Sequence, residues 1–230
     1  MALYGVQVVE DNGTGPWNAG TYAENLSSQM AAATTAQAWS NLRSTAGALA
    51  HYVEDLHNPL HLTMNYNGQL TGNDGIHSRY ESSMISRHLP DDLPITPAPG
   101  ECVYLPSLVE AIFDSIDVNY WYVDDIMNAD DVATAADPRF RTTYYNILWA
   151  NTGTFTQALF RDASEMVASA WYTVWIDAGA PLPLPAPSTL ELCDWCITGP
   201  DQPVTPGCAT IDADGDNDVD LRDFAQLQRS

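Results

Sequence analysis

Five residues with zinc-ligand chemistry, His51, Asp55, His61, His77 and Glu81, fall within one stretch of 31 residues, and four of the five histidines lie between His51 and His77. His51 and Asp55 are four apart, as are His77 and Glu81, so on a helix each pair shares a face. Zinc takes nitrogen and oxygen ligands at ~2 Å in a roughly tetrahedral array, and two residues one turn apart can supply two of them. A single such pair reads as an ordinary surface ion pair; two pairs with His61 between them point to metal. A zinc held by two histidines and a carboxylate keeps a position for water, lowers its pKa toward ~7 and polarises a phosphoryl oxygen. Two adjacent ions would clamp the attacking and leaving oxygens together, which suits phosphoester hydrolysis, although amide and ester hydrolysis also use zinc pairs.

Helices must position these groups. Tyr22, Leu26 and Met30 recur every fourth residue, and Phe155, Leu159, Ala163, Met166, Ala170 and Val174 every three or four, whereas strand-like alternation is scarce. An all-α domain is therefore expected over residues 1–180. One helix should run from about Thr35 to Pro59, and another should begin near Asp74 or Gly75 and carry His77 to Arg87. Between them lies a loop, Asn65 to Gly75, rich in glycine and asparagine. Segments Ser107–Met127 and Arg139–Trp149 read as further helices joined by a polar connection, Asp130–Pro138. Trp121, Tyr122, Tyr144 and Trp149 could stack bases or pack acyl chains, but at helical spacing they read as core. Pro181 to Pro187 reads as a stiff linker, the first part of a connecting segment 181–207.

The chain has 230 residues, 45% of them hydrophobic, enough for one good core with a small appended module. No window approaches the ~18 apolar residues of a membrane span, and no basic start precedes an apolar run at the amino end. A formal charge of -22, with eight arginines and no lysine, leaves no basic surface for extended nucleic acid. Cys102, Cys193, Cys196 and Cys208 are too scattered for a four-cysteine zinc site. Cys193 and Cys196 sit in a proline-rich segment and read as disulfide or thiol.

The run His51-Tyr-Val-Glu-Asp55-Leu-His57-Asn-Pro59-Leu-His61, followed by Gly75-Ile-His77-Ser-Arg-Tyr-Glu81, resembles the secreted bacterial zinc-dependent phospholipases C. These share a superfamily with fungal and plant single-strand-specific nucleases. Weaker likeness reaches back to Gly13-Thr-Gly-Pro16-Trp17 and forward to Ala170-Trp171 and Trp175–Pro183. The resemblance implies a zinc-dependent phosphoric diester hydrolase, secreted in its full-length form, whose complete site holds up to three zinc ions. On this pattern His61, His77 and Glu81 match the ligands of one ion, a complete set here. His51 and Asp55 match ligands of a closely spaced pair that Asp55 would bridge. No residue is matched to a catalytic role apart from the ligands. The pair's remaining ligands come, in the family, from farther upstream, so the expectation is a chain lacking the first part of its domain and its secretion signal; Glu10 or Asp11 could approach. His57 matches no ligand position and reads as a supporting or surface residue, and His88 as solvated. Glu81, where the nucleases more often place aspartate, leans toward a phospholipid substrate; a nuclease of the same fold is the alternative.

After the linker, Asp212-Ala-Asp214-Gly-Asp216-Asn-Asp218-Val-Asp220-Leu-Arg-Asp223 places oxygens at loop positions one, three, five, nine and twelve, with Asp218 at seven. That is the spacing of an EF-hand-like calcium loop. Asn217 takes the place of the usual glycine at position six; asparagine tolerates the left-handed conformation needed there. The segment 208–230 resembles a single dockerin repeat, which implies a cohesin-like scaffold as partner. A third reading follows: a non-catalytic, metal-stabilised module attached through its calcium-binding tail.

Overall fold

The structure, a computed structural model, describes residues 13–88, 102–181 and, near the carboxyl end, Asp212, Gly215 and Asn217. Two compact units divide the chain, Met1–Ala31 with Leu42–Ala180, and Ala32–Asn41 with Pro181–Ser230. The fold is all-α: no strand occurs among the described residues, and no described helix is long and apolar enough to cross a membrane.

Helix α1 spans Gly15–Ala32 and α2 Ala36–Asp55. The Thr35 hydroxyl accepts the Ala38 backbone N–H at 3.1 Å, capping α2. In the first unit Tyr22 stacks on Tyr52 and Trp17 meets Phe113 edge-on, so the aromatic residues of α1 seat it on its neighbours. Helix α2 stops at Asp55, short of Pro59, because the backbone tightens into the turn that ends in a 3-10 segment, Pro59–Leu62. Ile76–Ser78, Arg79–Met84 and Ile85–His88 follow one another without a break as α3; its middle segment is π-helical, which the sequence pattern did not announce.

The expected helix Ser107–Met127 is two helices. Ser107 caps α4, Leu108–Asn119, and after a break at Tyr120 and Trp121 the chain continues as α5, Tyr122–Ala136. The expected polar connection Asp130–Pro138 is corrected as well: Asp130 lies inside α5 and is 2% exposed. Its carboxylate is buried because it has partners there, a fact invisible to a polarity pattern. The last helix, α6, spans Thr142–Asp177 and joins two segments read separately; at 1.5 Å per residue it is about 54 Å long. Leu60, Ile76, Tyr80, Met84, Ile126, Tyr144 and Leu148 form the centre of the core between the 3-10 segment, α3, α5 and α6. Trp121, expected to be core, is 75% exposed at the α4–α5 break. The linker and Cys193, Cys196 and Cys208 lie outside the described residues; Cys102 is an exposed thiol.

Candidate metal centre

The ligand candidates come from three adjoining pieces of chain. His51 and Asp55 close α2, His61 sits in the 3-10 segment, and His77 and Glu81 lie on one side of α3. Asn58-Pro59 builds the middle piece. The Asn58 side chain accepts the Leu60 N–H at 3.1 Å, and proline occupies the first helical position, where no N–H is needed. At the start of α3, Gly75 takes a left-handed φ of 86°, a conformation that lets the loop turn directly into the helix.

Glu81 is the meeting point. His61 Nε2 lies 3.1 Å from Glu81 Oε2, and His77 Nε2 lies 3.1 Å from Glu81 Oε1. The two imidazoles are nearly parallel, 13° apart, with centroids at 5.0 Å. Donor atoms sharing one tetrahedral zinc at bonds of ~2 Å stand roughly 3.3 Å apart, so these contacts are close to those of a common coordination shell. Ligand atoms of His61, His77 and Glu81 all lie within 4.8 Å of one another. The set of two nitrogens and a carboxylate oxygen fits zinc, while His77 Nδ1 is buried without a hydrogen-bond partner.

His51 and Asp55 are brought near but not into this group. His51 Nε2 is 3.3 Å from Asp55 Oδ2, and the same oxygen is 3.6 Å from His61 Nδ1. Among the described residues no third ligand joins the His51–Asp55 pair; Glu10 and Asp11 lie outside them. Asp55 faces the Nδ1 side of the His61 ring, at a distance longer than a hydrogen bond.

Sequence reasoning missed Asn58. Its Nδ2 donates to Glu81 Oε2 at 2.9 Å while its Oδ1 caps the turn that carries His61, so one side chain bears on two candidate ligands. The Asn-Pro step was the available signal. It also missed the buried network behind α3, where Arg79 donates through Nη2 to both Asp130 oxygens at 3.0 and 3.1 Å and through Nε to Tyr144 Oη at 2.9 Å. The Tyr144 hydroxyl donates to Asp130 Oδ1. Burial weighs against the Arg79 charge, but Tyr144 and Asp130 outweigh it and raise its pKa. Burial first, and the Asp130 bond next, raise that of Tyr144.

His57 is not a surface residue: it is 3% exposed and its Nδ1 donates to the Val53 carbonyl at 2.7 Å. Burial lowers its pKa, opposed by that hydrogen bond and by Asp162 and Glu54. His88 is stacked on Trp149 at 4.4 Å rather than freely solvated. Beside the candidate ligands opens a cleft of about 410 Å³, lined by Ile85, Leu159, Phe160 and Ala163 together with Glu54, Asp55, Glu81 and polar residues such as Asn58 and Thr156, and with no arginine.

In the acidic segment expected to form a calcium loop, Asp212 accepts the Gly215 N–H at 2.7 Å and the Asn217 N–H at 3.2 Å. Asn217 has a left-handed φ of 73°. Asp214, Asp216, Asp218, Asp220 and Asp223 lie outside the described residues. Compared with known proteins, the chain matches no family model, no curated protein and no solved structure.

Proposed function

We propose that this chain is a zinc-dependent hydrolase of phosphodiesters, of the phospholipase C type that its histidine–acid motif resembles. One observation carries the reading: His61 and His77 each direct Nε2 to the Glu81 carboxylate at 3.1 Å. His61, His77 and Glu81 would hold the ion, with Asn58 supporting them. Bound zinc supplies Lewis acidity toward a phosphoryl oxygen and toward water. The protein's part is to hold that donor set rigid and to receive the substrate's ester arm in the adjoining cleft.

The cleft favours a phospholipid-like substrate over the alternative, a single-strand nuclease of the same fold. Most of its exposed lining is apolar, with His57, Asn58, His61, Thr156 and Ser164 as polar members and carboxylates as its charged ones, so an apolar or cationic arm is accepted while a second phosphate is repelled. The third reading, a non-catalytic module held by its metal, is favoured by the lack of a third partner for His51 and Asp55 among the described residues. Asp212, Asp214, Asp216, Asp218, Asp220 and Asp223 would bind calcium, with a cohesin-like scaffold as that segment's partner.

The test joins zinc content per purified chain to assays on a soluble phosphocholine diester and on single-stranded DNA, with a Glu81→Ala variant. The expected outcome is one zinc per chain, hydrolysis of the diester alone, and loss of both zinc and activity in the variant. Zinc without turnover would select the binding module, and no zinc would overturn the metal centre.

A further inference from the structure

Beside His77 the loop between the 3-10 segment and α3 holds three large apolar side chains in solvent. Met64 is 75% exposed, Tyr66 51% and Leu70 71%. Apolar residues scattered singly on a surface are ordinary; three within seven residues on one loop next to a candidate site depart from that pattern. Several of the loop's polar groups bond to one another. The Leu70 N–H donates to Asn65 Oδ1 at 2.8 Å, Gln69 Nε2 to the Met64 carbonyl at 2.7 Å, and the Gly68 carbonyl accepts from Thr71, Gly72 and Asn73. At the loop's end Asn73 Nδ2 donates to Asp130 and Asp131 on α5. The apolar tips are therefore displayed by a braced frame, and that frame abuts the metal centre, with the Tyr66 ring edge-on to His77 at 5.6 Å.

Charge selects the occupant. From Thr63 to Asn73 there is no Asp, Glu, Lys or Arg, in a chain of formal charge -22. A polyanion or an anionic membrane is repelled by the protein as a whole. An uncharged apolar rim instead suits a zwitterionic lipid layer, into which Met and Leu insert while Tyr sits at the boundary with its hydroxyl wet. We infer that the loop Thr63–Gly72 is a docking surface for zwitterionic lipid, which presents aggregated phosphodiester to the adjoining metal centre. This rests on the phosphodiesterase reading above.

The test is co-sedimentation of the zinc-loaded full chain with phosphatidylcholine vesicles, comparing the native protein with Met64→Ser/Leu70→Ser, and with Val132→Ser as an exposed apolar control on α5. The bound fraction should fall roughly ten-fold or more in the double variant, because both inserted side chains are lost. It should be unchanged in the control and should survive a roughly ten-fold rise in salt. Hydrolysis of a soluble phosphocholine diester should be the same in all three proteins. Equal binding by the double variant, binding confined to anionic vesicles, or a loop-dependent dimer in place of vesicle binding would each overturn the inference. Loop-dependent vesicle binding without hydrolysis of the soluble diester would uphold docking and overturn the phosphodiesterase reading. Hydrolysis without vesicle binding would do the reverse.

Discussion

Arg79 stands two residues after His77 and two before Glu81, and it grips the buried Asp130 carboxylate through Nη2 at 3.0 and 3.1 Å. Side chains two apart on a helix face opposite ways, so α3 turns its candidate ligands to one side and its anchor to the other. Arg79 also donates to the Asp74 carbonyl at 2.7 Å and covers the Phe140 ring at 4.2 Å. The Arg79–Asp130 pair thereby ties the α3 segment bearing the candidate ligands to α5.

Arg79→Met should destabilise the fold by about 3–5 kcal/mol, because it leaves a buried carboxylate without its cation. Asp130→Asn keeps the shape and should cost less. Combined with Arg79→Met it should cost less than the sum, since both changes break one interaction. Urea denaturation of the four proteins measures this. Additive costs would show that the two residues act separately.

Asn58→Ala tests whether a residue that is no metal ligand still sets the metal's affinity. The substitution removes the 2.9 Å bond to Glu81 and the cap of the turn carrying His61. Losing such a supporting bond should weaken zinc binding by about 10–100-fold while the ion still binds. The lost cap should cost about 1 kcal/mol of stability. Titration with a competing chelator reads the first and thermal unfolding the second; unchanged zinc affinity would remove Asn58 from the site.

Much of this was legible from spacing. The His77–Glu81 helix and its start near Gly75 follow from a four-residue interval and a glycine, and the clustering of His61 with the two histidine–acid pairs places it beside them. What was not legible depends on contacts distant in sequence. Asp130 reads as a loop acid until Arg79, 51 residues away, and Asn73, 57 residues away, neutralise and bond it. Trp121 has the composition of core but falls at a helix break. His57 reads as a spare histidine until the fold closes over it. That His51 and Asp55 meet no third ligand among the described residues could not be read from a motif that names only ligands.

Gly68 and Gly72 both adopt left-handed φ, 74° and 88°, yet their replacement should differ. A side chain at Gly68 would place Cβ 2.5 Å from Asn73 backbone oxygen, whereas at Gly72 nothing lies within 4 Å. Gly72→Ala should cost only the left-handed conformation, about 1–2 kcal/mol. Gly68→Ala should cost more and open the loop that displays Met64 and Leu70, seen as faster amide exchange across residues 65–73. Equal costs would mean the frame is softer than its hydrogen bonds imply.

His57 makes stability depend on pH in a definite sense. Burial holds its folded pKa below the ordinary value of 6.5, so below that pH the unfolded chain binds the proton more readily than the folded one. Stability then rises with pH wherever the unfolded state carries more protons. The contribution is complete above about 6.5 and is lost as pH falls through the depressed folded value. Asp162 and Glu54 oppose the shift, as does the bond to the Val53 carbonyl, but they do not reverse it. His57→Gln cannot titrate, while its side-chain N–H can still donate to Val53. Its urea midpoint should therefore fall less steeply than that of the native protein between neutral and mildly acid pH. Parallel curves would show that the imidazole protonates in place, with the cleft beside it open enough to hydrate the charge.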